Sequence, residues 1–158
     1  MSAGHPQAFG CGILDSNIKA FIALADEKLK DLKFEPSYKV DFIYNPSTVS
    51  LASIAEIGNL SYLWGQEVSE PLVAIEHVQV TASNIVLMKS TLKIELPNGL
   101  ALLKFRSSEE EYNNLLSKNG SVTINVVGTC NLNRYYNQVT PQIVIEDYEV
   151  VDRKDWYF

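Results

Sequence analysis

The chain has 158 residues and a formal net charge of −6, with 46% hydrophobic and 20% charged residues, which suits one domain, or a domain plus a fragment, with a packed core. The acidic balance argues against a dedicated nucleic-acid binder, which carries a basic excess, although a local basic patch can override net charge. No apolar run approaches the ~20 residues of a membrane helix, and Met1-Ser2-Ala3-Gly4-His5 shows no basic segment followed by an apolar one, so no membrane association and a cytoplasmic location are expected.

The N-terminus enters apolar, glycine-rich sequence at once, as a chain does when it is cut inside a domain. Residues 8–14 (Ala8-Phe9-Gly10-Cys11-Gly12-Ile13-Leu14) read as a short strand. Asp15 or Ser16 caps a helix whose apolar face is Ile18, Phe21, Ile22, Ala25, Leu29 and Leu32, closed by Pro36. Residues 38–44 alternate like a strand, and Asn45-Pro46-Ser47 turns the chain. A short helix follows near 48–58, and a loop with Trp64-Gly65 ends at Pro71. From 72 the character is β. Strands are expected at 72–82 and within 84–96, with Leu92, Ile94 and Leu96 facing one way. Pro97-Asn98-Gly99 signals a hairpin turn. The return strand runs from Leu100 to Arg106, with Ala101, Leu103 and Phe105 inward and Leu102, Lys104 and Arg106 outward. Ser108 and Glu109-Glu110-Glu111 open a helix. Val122, Ile124 and Val126 mark a fourth strand, and a polar loop from Thr129 to Thr140 leads to a fifth at 141–150.

Three strands, a helix and two strands is the order of an OB-fold, a small Greek-key barrel; an open β-sandwich is the competing topology. The expected class is α+β: a partial α/β lobe (strand-helix-strand) before a five-stranded OB-like barrel. The expected divisions are 1–46 for the lobe, 47–70 for a helical connector, 71–152 for the OB-like domain and 153–158 for a tail.

Nothing local carries catalysis. His5 and His77 make no zinc spacing with Cys11 and Cys130, which read as buried thiols. There is no Gly-x-Ser-x-Gly turn and no phosphate loop ending in Gly-Lys-Ser/Thr. The three glutamates at 109–111 fit a solvated first helical turn better than a metal site. The segment Asn131-Leu132-Asn133-Arg134-Tyr135-Tyr136-Asn137, an arginine beside two tyrosines flanked by amides, sits where an OB-fold places a binding loop. Its aromatics suit stacking on unpaired bases, with arginine meeting phosphate. Lys93, Lys104 and Arg106 would add a basic stripe on the second and third strands. The bland alternative is that both tyrosines cover a barrel end and the cations are solvated. In Gly4-His5, glycine permits close approach and the histidine can donate to a phosphate; a tight strand entry is the alternative.

Ala3-Gly4-His5-Pro6-Gln7-Ala8-Phe9-Gly10 resembles the Gly-Gly-His-x-x-Ala-Ala-Gly signature of the DHH-associated domain in DHH-family phosphoesterases, with Ala3 and Phe9 departing from it. Trp64-Gly65-Gln66-Glu67-Val68-Ser69-Glu70-Pro71 resembles the Phe-Gly-x-Gly-Asn-Pro-Glu-Pro stretch of RecJ-like single-strand-DNA exonucleases, matching at Gly65, Glu70 and Pro71. The segments 72–80 and 141–148 are similar to that family's C-terminal domain, and the divergence looks like that of a phage or prophage relative. The resemblance implies a 5′-to-3′ exonuclease whose two Mn²⁺ or Mg²⁺ ions sit in an N-terminal DHH domain absent from this chain. No cofactor is implied for the chain itself. It implies that Gly4 and His5 contact the substrate phosphate and that the OB-like domain grips single-stranded DNA. A protein-interaction module docking on the other lobes or on repair or replication partners is the second expectation. The lobe's strands, lacking partners, would leave edges open to a homodimer.

Overall fold

In a computed structural model, residues 2–5, 8–32, 37–65, 67–116 and 120–155 are described. They form two units, Met1–Ser37 and Tyr38–Phe158.

In the first unit, β1 (Ser2–His5) and β2 (Ala8–Cys11) make an antiparallel hairpin, with His5 opposite Ala8. The sequence pattern points to one strand over 8–14 and carries no sign of β1. Helix α1 (Ile18–Leu29) follows a short 3-10 turn. It stops at Leu29, short of the expected end; Pro36 lies outside the described residues.

The second unit opens with β3 (Phe42–Tyr44) and α2 (Leu51–Asn59). Ser50 caps α2 by accepting from the Ser53 N–H at 3.0 Å. Then come β4 (Leu72–Val80), β5 (Ile85–Met88), β6 (Thr91–Glu95), β7 (Ala101–Phe105), α3 (Glu109–Leu115), β8 (Gly120–Tyr135) and β9 (Gln138–Asp155). The sheet order is β3-β4-β8-β9-β7-β6-β5. Pairing is antiparallel except for β3 with β4 and β7 with β9. The run β4-β8-β9-β7-β6 places the five expected strands in OB order, with α3 between the third and fourth as the sequence pattern required.

The sheet does not close into the expected barrel. Closure would join the free edges of β4 and β6. The β6 edge is taken by β5 over Thr91–Ile94, and β3 takes the first part of the β4 edge, over Val73–Ile75. The strand at 42–44, read as part of the first lobe, belongs to this sheet. The segment 129–140, read as a polar loop, is a continuation of the β8–β9 ladder that runs out to Tyr135 opposite Gln138.

The core is one apolar cluster. Val73, Ile75, Val78 and Val80 of β4 are fully buried with Leu102, Val122, Ile124 and Ile143, and Ile54 of α2 closes the cluster. Each such side chain stabilises by ~1.5–3 kcal/mol. Two glycines let backbones approach. Gly58 brings α2 onto Leu132, whose Cγ would lie 3.1 Å from an added Cβ. At Gly128 an added Cβ would fall 2.2 Å from the Val144 carbonyl oxygen, where β8 shifts register against β9.

Helix α3 is tied to the sheet by charge. Ser108 caps it by accepting from the Glu111 N–H at 3.1 Å. Glu111 then pairs with Lys104 of β7 at 2.9 Å, and the Lys104 ammonium stands 5.9 Å from the Tyr148 ring centroid. Burial alone would raise the Glu111 carboxyl. Hydrogen bonds from Lys104, Ser107 and Tyr148 outweigh it and hold the group below its ordinary value. Burial, then the Glu111 charge, pushes the Tyr148 hydroxyl up to about 12.

Two outcomes test this packing. Gly128→Ala should cost about 1–3 kcal/mol of stability by overpacking, read as a lower urea midpoint with an unchanged m-value. A carboxyl lowered in the folded state stabilises above its unfolded pKa and ceases to do so as pH falls through the folded value. Glu111→Gln should therefore flatten the acid-side loss of stability in urea melts taken from neutral pH downward. An unchanged acid limb would remove Glu111 from the account.

Candidate nucleic-acid interface

Which face of the sheet is outward follows from the β6–β7 register. Ile94 pairs with Leu102, both buried, and Leu92 pairs with Lys104. Lys104 therefore shares the core face with Leu102. It ends under α3, where Glu111 neutralises it. Phe105 points the other way and is 52% exposed. This reverses the β7 phase read from the sequence, where Ala101, Leu103 and Phe105 form the more apolar set and Leu102 stands between. The error arises because the outer face is itself apolar here. The turn hydrogen bonds Leu96 N–H to Leu100 O and Gly99 N–H to Leu96 O set the register, and Gly99 takes φ +84°.

Side chains paired across strands share a face. On the outer face Lys93, Leu103, Val144 and Thr129 stand side by side across β6, β7, β9 and β8. The adjoining row is Glu95, Ala101, Gln142 and Asn131, in which Gln142 Nε2 donates to Asn131 Oδ1 at 3.0 Å. Phe105 closes one end of the face, opposite Thr91. Tyr135 lies toward the other end, on the same face as Asn131 and Asn133 by strand alternation. At ~3.3 Å per residue the two aromatics stand about 26 Å apart along the strands. Met88 and Val86 on β5 add exposed apolar surface.

Tyr135 and Tyr136 are exposed, not sealed into a barrel end, and their rings meet edge to face at 4.6 Å. Tyr136 takes φ 51° in the two-residue turn closing the β8–β9 hairpin. Arg134 pairs with Val139 and alternates to the opposite face from Tyr135. The expected Arg-Tyr-Tyr cluster is therefore split by the strand. Of the basic stripe, Lys93 is on the outer face but bound to Glu95 at 2.7 Å. Lys104 is on the inner face. Arg106 is exposed just past β7 with φ 60° and makes no ion pair among the described residues. Gly4 and His5 are in β1 of the first unit, and the His5 side chain lies outside what is described. Of the two thiols expected to be buried, Cys11 is exposed at the end of β2. Cys130 is buried and its thiol is pushed up to about 12, by burial and then by Glu70. Among the described residues no group of three or more His, Cys, Asp or Glu could hold a metal ion. No helix among the described residues is long and apolar enough to cross a membrane.

Sequence reasoning misses Phe105, Leu103 and Gln142 as the cross-strand partner of Asn131. The hairpin turn could have supplied the phase, since two buried leucines, Leu96 and Leu100, flank Pro97-Asn98-Gly99. The resulting surface is a shallow apolar and amide track with an aromatic toward each end and little free positive charge. It is suited to the faces of planar groups more than to densely packed phosphates.

The family described as the RecJ OB domain matches residues 40–147. A Bacillus subtilis strain 168 protein named for an SPbeta prophage-derived single-strand DNA-specific exonuclease, YorK, is 32% identical over 155 residues and 96% of this chain. Its counterpart in Bacillus phage SPbeta is equally similar. The chain spans 27% of the length of these relatives. Two crystal structures of RecJ from Thermus thermophilus share the fold. The complex with Mn²⁺ has a TM-score of 0.63 at 14% identity, covering 98% of this chain and 22% of that one. The complex with Mg²⁺ has a TM-score of 0.59 at 17% identity, covering 99% and 23%.

Proposed function

The chain belongs to the RecJ OB-domain family, and from that premise we propose that it is the non-catalytic, strand-gripping part of a longer single-strand-DNA exonuclease. The match over residues 40–147 carries the reading. The name of the prophage-derived relative supports the substrate. The outer sheet face supports the mode of binding: bases stack on Phe105 and Tyr135, and the Asn131–Gln142 amides meet base edges between them. Exposed Arg106 meets the backbone, with half-buried Lys93, paired with Glu95, beside the track. Gly4 and His5, by their motif match, contact the phosphate at the reacting end. In this reading the Mn²⁺ or Mg²⁺ chemistry belongs to a DHH lobe elsewhere in the polypeptide. The solved Thermus structures are of RecJ in complex with Mn²⁺ and with Mg²⁺, which accords with such an ion in the longer protein. What this chain contributes is binding, orientation and exclusion of paired strands.

A second reading is docking against the other lobes or repair partners. It draws on α1, none of whose residues is buried, with Phe21, Ile22 and Leu24 exposed.

Fluorescence anisotropy with labelled d(T)10 at low salt separates these readings. A base–aromatic stack contributes ~1–3 kcal/mol, so Phe105→Ala and Tyr135→Ala should each weaken binding about 5- to 150-fold. Lys104→Gln should lower stability and leave affinity in place. The log–log salt slope should be shallow, about −1 to −2, because few free cations face the track. Absence of binding, or a larger loss in Lys104→Gln than in Phe105→Ala, would sink the strand-gripping role and leave docking.

A further inference from the structure

The seam that keeps the sheet open is itself a groove. Its volume is about 630 Å³, within the roughly 300–1,000 Å³ of small-ligand sites. One wall is the turn after β3, at Asn45–Ser47. The second is the C-terminal half of β4, with His77 and Gln79. The third is the turn after β6, at Leu96–Pro97.

These walls are held by asparagine side chains standing in for backbone. Asn45 Oδ1 accepts from the Ser47 and Thr48 N–H groups at 3.0 and 3.1 Å. Asn98 Nδ2 donates to the Val49 carbonyl at 2.9 Å, fastening the third wall to the first. Asn84 Nδ2 donates to the carbonyls of Gln79 and Glu95 at 2.9 and 3.3 Å, fastening the second to the third. The groove is thus preformed, which lowers the cost of binding.

His77 stands at its lip in a strained conformation. It sits in a β-bulge between Ile75 and Val78 and takes φ 61°, a region that disfavours residues other than glycine. Its N–H donates to Asn125 Oδ1 at 2.9 Å, and Asn125 Nδ2 donates to Glu149 at 2.9 Å. Bulges re-aim side chains, and strain held this firmly by neighbours marks functional positions. The imidazole is exposed and makes no hydrogen bond among the described residues.

The lining chemistry selects the ligand. Pro46 and Pro97 give apolar surface, with buried Leu96 beneath them; His77 gives a ring; Gln79, bound through Nε2 to Thr123 at 2.9 Å, leaves Oε1 as an acceptor. No lysine or arginine lines it, so it is not a phosphate site. A smaller groove of about 380 Å³ shares Ser83, Asn84, Glu95, Leu96 and Pro97 with it and reaches Val86 and Lys93, which lie on or beside the outer face. A nucleic-acid strand lying on that face would run into the seam.

We propose that the groove receives a single unstacked nucleobase from one end of the bound strand, with His77 stacking on it and Gln79 reading its edge. This rests on the strand-gripping role of the outer face, and the experiment separates the two. Anisotropy would compare d(T)10 with two strands carrying one abasic nucleotide, at the 5′ end or at the 3′ end. One terminal abasic strand should bind about 5- to 20-fold more weakly than d(T)10, and the other terminal strand should be unaffected. His77→Gly is the clean variant, because glycine accepts the positive φ and the fold is retained. It should bind d(T)10 and the sensitive abasic strand equally. Phe105→Ala should weaken both strands and keep their ratio. Equal binding of d(T)10 and both terminal abasic strands by the wild type would overturn the base pocket while the outer-face reading stands. So would a ratio that survives His77→Gly. No binding of any strand would overturn both.

Discussion

The pairing of β6 with β7 is the constraint on which the rest depends. The tight turn at Leu96–Leu100 and the Asn98 bond to Val49 fix where β7 starts against β6. A slip of one residue would turn every side chain on β7 to the opposite face. With the register as observed, Leu102 enters the core, Lys104 meets Glu111 under α3, and Phe105 faces outward. Lys104 anchors a helix, and the aromatic beside it becomes available to a ligand.

A second consequence concerns the seam. In a closed barrel, β4 and β6 would use each other's edges. Here β5 occupies the β6 edge and β3 the first part of the β4 edge, and two side-chain bonds from Asn84 span the gap beyond. The extra strands hold a preformed groove open beside the proposed binding face, and the bulge at His77 projects into it. The fold class is that of a small Greek-key domain, and its particular chemistry comes from where it departs from closure. The net charge of −6 fits the proposed grip through stacking more than through counterion release.

Much of this architecture is legible in the residues. The change to β character at 72, the helix opened by Ser108 and three glutamates, and the strand order around it follow from period and capping alone. The family resemblance carried by the segments after residue 64 agrees with the match over residues 40–147. The β7 phase is misread because both faces of Ala101–Phe105 offer apolar residues, so alternation alone does not choose. The β8–β9 hairpin is misread because Asn131, Asn133 and Asn137 look like loop residues; in fact they are solvent-facing ladder positions and a turn beyond the end of the core. The open seam has no local sign, since it depends on a parallel contact between segments about thirty residues apart. The Arg134-Tyr135 adjacency misleads for the simplest reason: neighbours on a strand face opposite ways.

The most direct measurement of the face assignment is an amide chemical-shift map of the chain as unlabelled d(T)10 is added at low salt. The account predicts shifts along the outer rows of β6, β7 and β9 and at the tip of the β8–β9 hairpin, with the α3 amides and the Lys104–Glu111 contact undisturbed. Shifts centred on α3 and the inner end of β7, with the Phe105 and Tyr135 regions silent, would contradict it.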